Sequence, residues 1–100
     1  MPLRIIAEGP YFAPRVVCDQ CGQVITHAED ATYEFRPGAI SDHVGVPVYF
    51  THKQCSQAFR HENPGPWGWT PLQCLPVFLG TNLELDWKEA RRAARTFSRL

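Results

Sequence analysis

Apolar residues fall in short, β-branched runs through the first half of the chain and shift to three- and four-residue spacing near its end. The early runs predict strands over Leu3 to Ala7, Arg15 to Cys18, Val24 to Thr26, Thr32 to Phe35 and Val46 to Phe50. Between the first two, GPYFAP carries two prolines and a glycine and is expected to form a turn or irregular loop. Pro37-Gly38 lies between the last two strands, which suits a hairpin or small meander.

After Phe50 the pattern changes. Thr51 is an acceptable N-cap, and HKQCSQAFRHE has no proline or glycine, so a helix is expected from about His52 to Glu62. NPGPWGWTP follows, rich in turn formers, and reads as a packed loop whose tryptophans cover the core. Thr70-Pro71-Leu72-Gln73 has the form of a capping box with proline at the first helical position, predicting a helix from Pro71 toward Leu79 that Pro76 bends or shortens. Asp86-Trp87-Lys88-Glu89 repeats the capping arrangement ahead of a second helix. In that helix Trp87, Ala90, Ala94 and Phe97 form an apolar stripe expected to pack, while Lys88, Arg91, Arg92, Arg95 and Arg99 take the opposite side.

Length changes this picture in one respect. One hundred residues suffice for a single domain over 1–100 with a modest core, for which a staple is useful. No apolar run reaches the roughly 18 residues of a membrane span, and the N-terminal stretch lacks the form of a secretory signal, so a cytoplasmic protein is expected. In that compartment Cys18, Cys21, Cys55 and Cys74 point to metal ligation or redox chemistry rather than disulfides.

Cys18, Cys21, His52 and Cys55 follow the pattern C-x2-C-x30-H-x2-C. Two residues between ligands let one turn aim both side chains at the same ion, and two such pairs complete the tetrahedron zinc prefers. Three thiolates and an imidazole fill that tetrahedron, which is the composition of a structural Zn2+ site. Gly22 allows the backbone to turn beneath the metal, and His52 and Cys55 fall on the first turn of a helix, where the dipole favours thiolate charge. The competing reading of CDQC as a redox pair calls for a helix directly after it, whereas Gly22 and the strand-like QVIT follow. Cys74 reads as a core residue.

Knuckle, hairpin and ligand-bearing helix, in this order, resemble the treble-clef zinc fingers, and the CxxC and HxxC pairs are similar to the first zinc module of LIM domains. The resemblance covers Val16 to about Glu62 and implies an α+β fold, a small zinc-stapled domain, here followed by a C-terminal helical part over about 70–100 with two helices. The second ligand set of a full LIM domain is absent.

A structural zinc leaves function to the rest of the chain. The first expectation is a non-enzymatic interaction or regulatory module for a protein partner, with Trp67 and Trp69 as anchors beside the C-terminal helices. No small-molecule substrate site is evident. The second expectation puts nucleic acid on Lys88, Arg91, Arg92, Arg95 and Arg99, although the formal net charge of zero supplies no general pull on phosphates. A third reading is enzymatic: ISDHVGVP resembles the Asp-His-x-x-x-Pro neighbourhood of HNH nucleases, which implies His43 as base with His61 or Asn63 as a metal or positioning residue. The order of these residues departs from that family's.

Overall fold

The computed structural model describes residues 3–41 and 44–97, so His43 and Arg99 lie outside the described residues. Strands β1 (Leu3–Glu8) and β2 (Tyr11–Val16) form an antiparallel hairpin. Its two-residue turn is Gly9-Pro10, and Gly9 takes the positive φ of 62° that such a turn requires at its first position. The irregular loop expected over GPYFAP is therefore only its first two residues. Tyr11 to Pro14 continue as strand, and Pro14 is tolerated because each strand of a two-stranded ribbon has a free edge. Arg15 grips both carboxylate oxygens of Glu8 at 2.5 and 2.7 Å. One ribbon face is open: Leu3, Ile5 and Phe12, which the register places on the same side, are each more than half exposed.

The expected strand at Val24 to Thr26 is reduced to a single bridge between Val17 and Val24, which closes the turn around Cys18 to Gly22. Strand β3 (Ala31–Phe35) is the centre of a three-stranded antiparallel sheet with order β4-β3-β5, where β4 is Tyr49–His52 and β5 is Gly68–Pro71. β4 starts three residues later than the apolar run suggested and passes directly into α1 (Lys53–Glu62). His52, not Thr51, occupies the N-cap position. Thr51 instead points inward from the strand, fully buried, and donates to Glu34 Oε2 at 2.7 Å.

β5 corrects the loop expected over NPGPWGWTP: Gly68 to Pro71 pair with Phe35 to Thr32 along the far side of β3. The helix expected from Pro71 begins later. A 3-10 turn (Leu72–Cys74) intervenes, and α2 spans Leu75–Asn82 with Pro76 in its first turn, where the missing amide proton would have had no intrahelical partner. α3 (Trp87–Phe97) starts as expected, with Asp86 Oδ1 accepting the Glu89 amide at 3.1 Å.

Successive residues of β3 serve two layers. Ala31 joins Cys18, Ile25 and Leu72 in the apolar core, with Val16, Ala28, Phe50, Cys55 and Leu75 packed around them. Thr32 and Glu34 face α1, beside an aromatic cluster in which Tyr49, Phe59 and Trp67 have ring centroids 5.1 to 5.6 Å apart. The two layers meet at the junction of β4 and α1.

The C-terminal helices lie against this core only in part. Trp87 sits on the buried Gly80, but it remains 45% exposed, and Phe97 is 60% exposed. The stripe expected to pack on the protein's own core is thus largely open to solvent. Among the described residues, no helix is long and apolar enough to cross a membrane.

Candidate metal centre

Cys18, Cys21, His52 and Cys55 converge, although 30 residues separate the two pairs. Their ligand atoms all lie within 4.8 Å of one another. Cys21 Sγ is 3.4 Å and Cys55 Sγ 4.0 Å from His52 Nδ1. A tetrahedral zinc, with bonds of about 2.3 Å to sulfur and 2.0 Å to nitrogen, would separate adjacent donors by roughly 3.5 to 3.8 Å. The cluster is therefore the right size for such an ion. Its donors are positioned to hold a metal, and a tetrahedral ion would have its four positions filled by protein.

Local structure explains the convergence. Cys18 and Cys21 sit on a tight turn: Gly22 N donates to Cys18 O at 2.9 Å, and Gly22 takes a φ of 77° that a side chain would strain. Amides of Cys21 and His52 point at Cys18 Sγ, at 3.5 and 3.4 Å. One of these amides belongs to each ligand pair, so the Cys18 sulfur already bridges the turn and the strand end. Cys55 follows on the first turn of α1, where backbone amides are free of intrahelical partners.

Asp19 completes the attachment. Its amide donates to Phe50 O at 2.7 Å, and its Oδ2 accepts the Phe50 amide at 2.8 Å, clamping the turn to β4 two residues before His52. At the other end of α1, Gln20 Nε2 donates to Glu62 at 3.2 Å. The ligand pattern itself does not include Asp19, yet an aspartate between two paired ligands is a residue type that satisfies nearby backbone amides, and that is the signal the sequence offers.

The thiols are electrostatically unequal. Burial raises the Cys18 pKa, but the amides of Cys21, His52 and Gln20 outweigh it and bring the group down to about 7. Cys55 is pushed up to about 12, first by burial and then by the negative charge of Cys18 beside it. A cation placed between them supplies the opposite charge this crowd of sulfurs lacks.

The remaining candidate residues lie elsewhere. Cys74 is half-buried outside the cluster. Trp67 is tied in, donating from Nε1 to Asn63 O at 2.7 Å, with Arg36 4.1 Å above its ring, whereas Trp69 is 53% exposed on β5. Lys88, Arg91, Arg92 and Arg95 are exposed on α3, where Arg92 pairs with Glu89. His61 is exposed on α1, and Asn63 caps that helix by donating to Phe59 O at 2.8 Å.

A second constellation was not anticipated. Glu34 is fully buried and accepts from Thr51 Oγ1 at 2.7 Å, Thr32 Oγ1 at 3.4 Å and Arg60 Nε at 2.6 Å. Its partners come from β3, β4 and α1, and no local spacing pattern announces them. No protein-family model matches this chain, and no curated protein and no solved structure matches it either.

Proposed function

We propose that the protein is a non-enzymatic, zinc-stapled interaction module of regulatory type that docks a protein partner on its C-terminal helices. Three thiolates and one imidazole favour zinc over harder cations, and with four protein donors no position is left for a substrate or an activated water. The ion's part is then to lock the Cys18 turn to the β4–α1 junction, and the docking surface lies elsewhere.

The observation that carries the reading is the apolar surface of α2, α3 and the turn joining them. Phe78, Leu83, Leu85, Trp87 and Phe97 are 40 to 74% exposed along a stretch that also presents Lys88, Arg91 and Arg95. Large apolar side chains left this exposed along one stretch of chain support the reading of a surface that a protein partner covers. The cations suit a partner whose own apolar face is edged with aspartate and glutamate.

Two measurements test the proposal. Metal analysis of the native protein should find one zinc per chain, lost in Cys18→Ser and His52→Ala; a natively folded chain holding no zinc would sink the metal half. Partner capture should be lost in Phe78→Ser/Leu83→Ser with zinc content unchanged. Capture that survives those changes but vanishes in Lys88→Glu/Arg91→Glu or in added salt would move the reading to nucleic acid.

A further inference from the structure

Between α1 and β5 lies an open cleft of about 400 Å³, lined by Thr32, Lys53, Ser56, Arg60, Trp69 and Pro71. Lys53, Ser56 and Arg60 recur at three- and four-residue intervals and so share one face of α1, while Trp69 and Pro71 form an apolar wall from the sheet. Arg60 is held rather than loose. Its Nε is bound to the buried Glu34, which is itself fixed by two threonine hydroxyls, and its guanidinium carbon lies 5.9 Å from the Trp69 ring centroid.

We infer that this cleft binds single-stranded nucleic acid, one base stacking on Trp69 and the adjoining phosphodiester meeting Lys53 and Arg60. The chemistry fits in three respects. A half-exposed indole beside cations is the combination that single strands use, because every base has a face to stack and every linkage a charge to neutralise. Glu34 balances Arg60, so the cleft carries one net positive charge, from Lys53, which matches the single negative charge of a phosphodiester better than the double charge of a terminal phosphate. The open side lets a strand enter and leave, as a site for one nucleotide of a longer chain requires. This site is separate from the C-terminal helices and does not depend on what they bind.

The test is an anisotropy titration of fluorescein-labelled octathymidylate with the zinc-loaded protein at low salt, beside a duplex of equal length, adenosine monophosphate and a phosphotyrosine octapeptide as competitors. Binding of the octamer should weaken about tenfold or more in Trp69→Ala. In Lys53→Gln the slope of log affinity against log salt should fall by about 0.7, the value of one neutralised phosphate on a single strand. Both side chains are on the surface, and metal content together with the far-UV spectrum verifies that each variant is folded. Arg91→Gln on α3 should leave octamer binding unchanged. The inference is overturned if the octamer does not bind, if Trp69→Ala binds as well as the parent, or if Arg91→Gln alone abolishes binding. It is equally overturned if the duplex, the mononucleotide or the phosphopeptide competes better than the unlabelled octamer.

Discussion

Removing Arg60 should harm the protein more than removing the ion pair it belongs to. Glu34 is fully buried, and its charge is met by the Arg60 Nε at 2.6 Å and by two threonine hydroxyls. In Arg60→Ala the hydroxyls remain but the cation does not. Breaking a buried pair from one side costs about 3 to 5 kcal/mol. Arg60 itself is 36% exposed, so water screens the pair and can enter the space it vacates, which moves the expected loss down to about 2 to 3 kcal/mol. Adding Glu34→Gln to that variant removes the stranded charge while keeping one oxygen and a similar shape. The double variant should therefore regain about 1 kcal/mol or more. Urea titrations of the metal-loaded proteins provide the measurement: with a slope typical of small proteins, the Arg60→Ala midpoint should fall by about 1 to 2 M and partly recover in the double variant. A double variant no more stable than Arg60→Ala would show that the buried carboxylate carries no penalty, and the account of this constellation would fail.

Metal affinity should fall on acidification. With Cys55 raised to about 12 and Cys18 brought down to about 7, a metal entering between those pH values displaces the Cys55 proton. This contributes about a tenfold gain in affinity per pH unit, and below about pH 7 protonation of Cys18 steepens the dependence. Competition against a chromophoric chelator, corrected for the chelator's own protonation, reads the slope, and a flat profile refutes the assignment. At Gly80, an added Cβ would lie 2.5 Å from the Trp87 ring, so Gly80→Ala should push the start of α3 away from α2. Overpacking of about 1 to 3 kcal/mol outweighs the gain of about 1 kcal/mol in helix propensity, so a net loss and a red-shifted tryptophan emission are expected, with metal content unchanged. A stabilised variant with unshifted emission would contradict the contact.

The ligands were legible because their chemistry is local: CDQC and HKQC each fit on one turn, and a small chain with paired cysteines has few other uses for them. α1 and α3 were legible from unbroken helix formers and, for α3, from Asp86. β5 was not, because Gly68 and Pro71 are turn residues whose strand character comes from β3 lying alongside, a tertiary contact that overrides local preference. Thr51 misled for a related reason. Its hydroxyl suits a cap, but 17 residues upstream Glu34 offers it a buried acceptor. The stripe on α3 was read correctly as apolar and wrongly as covered, since periodicity reveals that a face is amphipathic and not what meets it.

Asp19 and the four ligands join a part of the chain near its start to one just past its midpoint, and everything between them becomes a closed loop. From Cys18 to His52 that loop has 35 residues, counting both ends. Its stretch over 36–48 contributes no buried residue among those described. Closure entropy grows only with the logarithm of length, so a dozen extra residues there would cost roughly 0.3 kcal/mol. One additional residue between Cys18 and Cys21, by contrast, would have to be absorbed inside the tight turn that the Gly22 amide closes on Cys18 O. The protein thus combines an intolerant pair of spacings with a tolerant span between them, and that span is where a foreign peptide could be grafted, or a new function acquired, without disturbing the metal centre.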